Sequence, residues 1–261
     1  SLAISKDAHF IASGCRDNTI EIWDVATGEV LHILRGHQDS VNVLAFSPDS
    51  CLLASGSADK TVRIWNVNTG LSMRTIDGHN ASVISISFSP DGKTIASGGM
   101  ERTVYVWNVL TGEGVTEFDA HGEFVRAVAF SPDGKTIATG GADCSQNYDA
   151  DDNDEYDEDE DNMNDEAPYS ANFWDDNWMN THTVKFWDVK TDEIAHMFMG
   201  NGGFEGFITC IVYNQDGLVL IASEGGAAIV YDVLRDYEYK FHLEFPYKKN
   251  KQKYSETRNF T

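Results

Sequence analysis

Val62-Arg63-Ile64-Trp65-Asn66-Val67-Asn68-Thr69-Gly70 decides how this chain is read, because it recurs. Ile20 to Gly28 reads I-E-I-W-D-V-A-T-G, Val104 to Gly112 V-Y-V-W-N-V-L-T-G, Val184 to Asp192 V-K-F-W-D-V-K-T-D, and Ile229 to Leu234 I-V-Y-D-V-L. Alternation of apolar side chains toward the aromatic residue is partial, present in V-R-I-W and absent in I-V-Y. Each full copy ends in a turn of Asn, Asp, Thr and Gly. The aromatic positions Trp23, Trp65, Trp107, Trp187 and Tyr231 are separated by 42, 42, 80 and 44 residues.

A second signature lies upstream in constant phase. Phe46-Ser47-Pro48-Asp49-Ser50, Phe88-Ser89-Pro90-Asp91-Gly92 and Phe130-Ser131-Pro132-Asp133-Gly134 are again 42 apart, each followed by an apolar strand and a small-residue turn. Tyr213-Asn214-Gln215-Asp216-Gly217 is a worn copy. The pairs Gly36-His37 and Gly78-His79, with Ala120-His121 as a variant, form a third mark.

A period of about 40–45 residues carrying G-H and W-D marks resembles the WD40-repeat beta-propellers. The resemblance covers residues 2–245 apart from one insert. It implies an all-β fold, a WD40-like propeller of four-stranded antiparallel blades, with five recognisable repeats at roughly 1–34, 35–76, 77–118, 119–199 and 200–245. Family rings most often have seven blades, so five repeats without an initiator Met read as a partial ring or a processed chain. The resemblance also implies a hydrogen-bonded network in each blade. Its members would be His37, Ser55, Asp59 and Trp65 in the second repeat, His79, Ser97, the substitute Glu101 and Trp107 in the third, and His121, Thr139, Asp143 and Trp187 in the fourth. The first repeat offers Ser13, Asp17 and Trp23 without a His. Ser55 and Ser57 point the same way in strand alternation, so the pattern leaves open which one joins the set.

His, Asp and Ser together also suggest nucleophilic catalysis, which requires one exposed hydroxyl with a general base aimed at it. Here the set recurs in blade after blade, each copy tied to a Trp. Repetition points to scaffold, and no catalytic residue is assigned. Gly98-Gly99 and Gly140-Gly141 lack the Lys-Ser/Thr of a phosphate loop, so no cofactor is expected.

The period breaks once. Asp143 closes the second strand of the fourth repeat and Thr183 opens the third, leaving an insert over 144–182. Removing it restores the phase. The insert has no Lys or Arg and holds 14 carboxylates, more than half of the formal charge of -23. Blocks of like charge repel and commonly act as interaction tails. Phe173-Trp174-Asp175-Asp176-Asn177-Trp178-Met179 sets large rings among carboxylates, and aromatic anchors carry binding energy out of proportion to their number. Asp151, Asp154, Glu158, Glu160, Trp174 and Trp178 are therefore candidate contacts for a basic protein surface. The rings could equally fold back on the propeller. Asp149 to Glu160 superficially resembles a calcium loop but has Asp154 where the loop needs Gly, so no metal site is assigned. In the family the insert's loop shares a face with the His-bearing loops and commonly receives partners. Arg16, Lys60 and Arg102, with Gln38, Asp39 and Asn80, are candidate interface residues there by position.

The acidic balance argues against nucleic acid and anionic membrane as direct partners. No run of 18 apolar residues exists to span a bilayer. Cys15, Cys51, Cys144 and Cys210 show no close pairing, and three lie in or beside strands, where buried reduced thiols are expected. That places the chain inside the cell, in nucleus or cytoplasm. A basic tail over 246–261 carries Lys248, Lys249, Lys251, Lys253 and Arg258. The expected function is a non-catalytic protein-interaction scaffold and complex subunit. The alternatives are a chromatin or ribosome-assembly factor handling basic proteins, a ubiquitin-ligase substrate receptor, and the regulatory propeller of a larger enzyme. The W-D-x-R signature of such receptors is missing from Trp23-Asp24-Val25-Ala26 and Trp187-Asp188-Val189-Lys190.

Overall fold

The computed structural model describes residues 1–144, 180–199, 207–224, 228–232 and 237–239. Its elements are twenty strands in five antiparallel meanders. The first blade is β1 (Leu2–Ile4), β2 (Phe10–Gly14), β3 (Ile20–Asp24) and β4 (Val30–Leu34). The second is β5 (Val41–Phe46), β6 (Leu52–Ser57), β7 (Thr61–Asn66) and β8 (Ser72–Asp77). The third is β9 (Val83–Phe88), β10 (Thr94–Gly99), β11 (Glu101–Asn108) and β12 (Gly114–Asp119). The fourth is β13 (Val125–Phe130), β14 (Thr136–Cys144), β15 (Asn180–Asp188) and β16 (Ile194–Met199). The fifth is β17 (Ile208–Tyr213), β18 (Leu218–Ser223), β19 (Ala228–Asp232) and β20 (Tyr237–Tyr239).

The inner two strands of the second, third and fourth blades are apolar on both faces because both faces meet neighbours. Ile64 and Trp65 are adjacent in β7, point to opposite faces and are both buried. Four apolar clusters follow, one per junction between successive blades. Ala12, Ile20 and Ile22 pack with Leu44, Leu53 and Trp65. Ala54, Val62 and Ile64 pack with Ile86, Ile95 and Trp107. Ala96, Val104 and Val106 pack with Val128, Ile137 and Trp187. Ala138, Val184 and Phe186 pack with Ile211, Val219 and Tyr231. The first three junctions thus lay an aliphatic face on the face that bears the next blade's large aromatic ring, and the fourth sets Phe186 with Ala138 and Val184 against Tyr231. Burial of a large side chain contributes about 1.5–3 kcal/mol, so the blades hold one another together.

The S-P-D turns are closed by their own side chains. Ser47 Oγ donates to Asp49 Oδ1 at 2.6 Å and accepts the Leu52 amide at 2.9 Å. Ser89 with Asp91 and Ser131 with Asp133 repeat this. The first blade has the same turn in disguise, Ser5-Lys6-Asp7-Ala8, with Ser5 donating to Asp7 at 2.6 Å. Where the third and fourth blades place Gly92 and Gly134 at positive φ, the first places Ala8 (φ 58°) and the second Ser50 (φ 61°).

Two expectations are corrected. The β14–β15 ladder runs past Asp143 and Thr183 through Ala142–His182, Asp143–Thr181 and Cys144–Asn180, so Cys144 and Asn180–His182 are strand rather than insert. Cys51 and Cys210 are exposed thiols, not buried ones. Cys51 lies in the turn before β6, and Cys210 lies on the fifth blade's outward face. The side chain of Cys144, residues 145–179 and the basic tail fall outside the described residues.

Candidate functional site

The best-defined polar site is the edge of the ring where the loop before each inner strand meets the turn between strands two and three. In the second blade His37 reaches from the first into the second. Its Nε2 lies 2.7 Å from Ser55 Oγ and its Nδ1 2.8 Å from Asp59 Oδ2. Trp65 Nε1 donates to the same Ser55 Oγ at 2.8 Å. With the indole donating, the consistent assignment is a neutral His37 that carries its proton on Nδ1 and accepts the Ser55 hydroxyl at Nε2. Ser57 is separate: it donates to the Asp39 carbonyl.

Burial lowers the His37 pKa, and the hydrogen bond to Asp59 only partly opposes this. Burial also pushes Asp59 upward, but hydrogen bonds from the Gln38 amide, the Thr61 hydroxyl and the His37 ring outweigh it and hold the carboxyl at about 2. The pair is thus a neutral ring beside a carboxylate.

The third blade reproduces the set with a longer acid. His79 lies 2.6 Å from Ser97 Oγ and 2.6 Å from Glu101 Oε1, and Trp107 donates to Ser97 at 2.8 Å. Burial again depresses the ring's pKa. In the fourth blade His121 lies 2.9 Å from Thr139 Oγ1, and Trp187 donates to Thr139 at 3.1 Å. Asp143 takes the Thr183 hydroxyl, the Gly122 amide at 2.7 Å and Lys185 Nζ at 3.0 Å. Burial raises Asp143, yet these donors and His121 hold its carboxyl well below the usual range.

Ser55, Ser97 and Thr139 have no solvent exposure. Each hydroxyl oxygen already serves a ring nitrogen on one side and an indole N–H on the other. The geometry leaves no lone pair aimed at a substrate. What the arrangement does is fasten a loop, two strands and a core tryptophan together. The Gly before His has a packing reason, since a Cβ on Gly78 would sit 2.5 Å from Trp107 Cη2. In the first blade the set is reduced to Trp23 and Ser13 at 3.4 Å, with Asp17 bonded to Thr19. In the fifth blade the register puts Ile221 where the hydroxyl stands elsewhere and Tyr231 where the Trp stands.

Two kinds of position escape a reading by motif, a recurring threonine and a lysine. Thr61 and Thr183 donate to the turn carboxylates and approach the His rings at 3.3 and 3.1 Å. The signal was present, because Thr19, Thr61, Thr103 and Thr183 stand in the same phase, four residues before each Trp. Lys185 is the other. Its position, two before the aromatic, holds Glu21, Arg63, Tyr105 and Ile229 in the other blades, so no recurrence marks it.

The candidate interface residues Arg16, Lys60, Arg102, Gln38, Asp39 and Asn80 are all exposed along this edge. Arg102 is partly tethered, its Nε donating to the Gly122 carbonyl of the neighbouring blade at 3.0 Å. Lys60 holds the turn at φ 71°. Asp151, Asp154, Glu158, Glu160, Trp174 and Trp178 lie outside the described residues. The chain leaves the ladder at Cys144 and rejoins it at Asn180, directly opposite, on this same edge. Among the described residues no group of three or more His, Cys, Asp or Glu is placed to hold a metal. No helix there is long and apolar enough to cross a membrane.

The sequence model of the WD domain, G-beta repeat matches residues 1–24, 28–66, 70–108 and 112–145. The chain belongs to the WD40-repeat family. The later three matched units each begin with the outer strand of one blade and run into the inner strands of the next. Each of these three units therefore spans a junction and ties two blades covalently. The fifth blade, with Ile221 and Tyr231 at the network positions, lies beyond the matched segments. WD40 repeats serve generally as protein-interaction scaffolds, and the five four-stranded sheets are blades of such a propeller.

Proposed function

We propose that this WD40 chain is a non-catalytic scaffold subunit of a larger protein complex, and that its acidic insert is the arm that engages a basic partner. The observation that carries this reading is where the insert is rooted. Cys144 and Asn180 are paired neighbours at the end of an extended hairpin, next to the locked Asp143–Thr183–Lys185 cluster. A carboxylate-rich segment without Lys or Arg is thus anchored on a rigid edge, beside exposed loop residues of the neighbouring blades.

Like charges at that density favour encounter with a basic surface and speed association. Trp174 and Trp178 supply the apolar anchors such a contact uses. The buried, spent hydroxyls of the His/Ser/Asp/Trp sets fit a structural rather than catalytic role. The free thiols of Cys15, Cys51 and Cys210 suit a reducing interior, in nucleus or cytoplasm.

The test separates charge from rings. One variant carries Asp151→Asn, Asp154→Asn, Glu158→Gln and Glu160→Gln; another carries Trp174→Ala and Trp178→Ala. Binding of a lysine-rich polypeptide is followed by titration. The reading expects the first to slow association and lose salt sensitivity, and the second to speed dissociation. Binding unchanged in both refutes the arm.

A further inference from the structure

The turns between the first and second strands lie on the edge opposite the insert, and in the first, third and fourth blades their Asp holds a basic side chain. Asp7 meets His9 Nδ1 at 3.1 Å, Asp91 meets Lys93 Nζ at 3.5 Å and Asp133 meets Lys135 Nζ at 3.6 Å. The basic residue stands two places after the Asp each time. In the second blade that place belongs to Cys51, an exposed thiol. Asp49 keeps the local bonds of its siblings, from Ser47 Oγ at 2.6 Å and the Cys51 amide at 3.0 Å, both on Oδ1. The Ser47 hydroxyl foremost, with that amide, holds the carboxyl below its ordinary value. Among the described residues no basic group lies within ion-pair distance of it. Asp49 also lines a groove. Pro48 and Leu52 of the second blade face Pro90, Asp91 and Gly92 of the third across a cavity of about 280 Å³. Small-molecule sites run to about 300–1,000 Å³, so this one has the size for a single side chain. Both blades have a neighbour on each side, so the groove owes nothing to either end of the chain.

We propose that the groove between the second and third blades is a docking site for a lysine side chain of a partner protein. The sibling turns show what such a carboxylate takes, a basic nitrogen at 3.1–3.6 Å supplied from within the chain. At Asp49 a lysine from outside supplies the group that Cys51 lacks. Its methylene stem lies along Pro48, Leu52 and Pro90 while its ammonium meets Asp49 and stays in water, as long basic side chains do on apolar surface. Asp91 on the opposite wall already carries Lys93, so one uncompensated charge calls for one basic side chain. An exposed ion pair changes affinity by no more than ~fivefold. The site is therefore one contact within a wider interface rather than a high-affinity pocket. It lies on the edge opposite the insert, so both can be occupied at once.

Amide NMR titration of the full chain with a blocked tripeptide bearing one central lysine tests the proposal, with norleucine in the lysine's place as the uncharged match. The lysine peptide is expected to shift the Cys51, Leu52 and Gly92 amides saturably, and the norleucine peptide to bind there ~fivefold more weakly. Cys51→Lys restores the sequence of the sibling turns, so it should fold, pair internally with Asp49 and weaken the lysine peptide by the same factor. Cys51→Ser removes the thiol without adding charge and should bind as the parent does. Asp49→Asn should bind as weakly as Cys51→Lys. Urea midpoints establish folding, and Cys51→Lys decides alone if Asp49→Asn is unfolded. Shifts of amides in 145–179 should persist in every variant, so failure of the acidic-arm reading is seen separately. Unshifted Cys51, Leu52 and Gly92 amides, equal binding of the two peptides, or equal affinity in the parent and Cys51→Lys overturns the proposal. Shifts of those amides with protein concentration alone also overturn it, by putting a second copy in the groove.

Discussion

Trp107 Nε1 donates to Ser97 Oγ at 2.8 Å, and both groups are sealed in the third blade, where His79 closes the other side of the hydroxyl at 2.6 Å. Removing one partner from such a set strands the others. Ser97→Ala leaves a buried indole N–H and a buried ring nitrogen without their bond, a loss of about 1–3 kcal/mol. Urea unfolding should show a lower midpoint with an unchanged slope. Ser57→Ala, which removes a bond to the Asp39 carbonyl and one from the Asp59 amide but strands no ring nitrogen or indole N–H, should cost less.

The same sets predict how stability responds to pH. Burial holds His37 and His79 below the ordinary histidine value when folded, so unfolding releases rings that take up protons more readily. Their contribution is present above the unfolded pKa of about 6.5 and is lost as pH falls through that value toward the lower folded one. Asp59, held at about 2 against an ordinary 3.8, contributes above 3.8 and loses that contribution as pH falls toward 2. Unfolding free energy measured from pH 7.5 downward should fall in two stages. His79→Gln should shrink the first to the part His37 supplies and leave the second.

Much of this was legible in the sequence because the repeat imposes its phase on every blade. The ring-bearing strands, the S-P-D turns and the His/Ser/Asp/Trp sets follow from residues 42 apart. What was not legible has physical causes. Alternation cannot separate Ser55 from Ser57, since both share a face; only the reach of the Trp65 indole does. The boundary at Asp143 was set by motif, whereas pairing continues to Cys144 and Asn180 because a hairpin lengthens wherever its backbone can pair. Cys210 looked buried because its strand is buried in the other blades. It is exposed because no other described blade packs on that face of the fifth, which periodicity does not encode.

Backbone strain offers a stabilising substitution. Ala8 sits at φ 58° on the surface, in the turn where Gly92 and Gly134 serve the third and fourth blades. A left-handed conformation costs a non-glycine residue about 1–2 kcal/mol, offset in part by the entropy glycine loses on folding. Ala8→Gly should raise the thermal midpoint by the remainder, and calorimetry reads it directly.

The opposite change is predicted at the Gly-His mark. A Cβ at Gly78 would stand 2.5 Å from the Trp107 ring. Both the ring and the His79 loop are fixed by hydrogen bonds, so neither yields cheaply. Gly78→Ala should destabilise the fold by about 1–3 kcal/mol, as overpacking does. Chemical denaturation checks it.

The central claim is that the repeated sets hold the fold while the insert does the binding. The most direct measurement is the affinity for a lysine-rich polypeptide of the intact chain against a chain in which residues 145–179 are replaced by Asn-Gly between Cys144 and Asn180. Those two residues are already paired, so the shortened hairpin should fold with an unchanged unfolding midpoint. The account predicts that its Kd rises ~tenfold or more, about 1.4 kcal/mol. An equal Kd in a folded, shortened chain would contradict it.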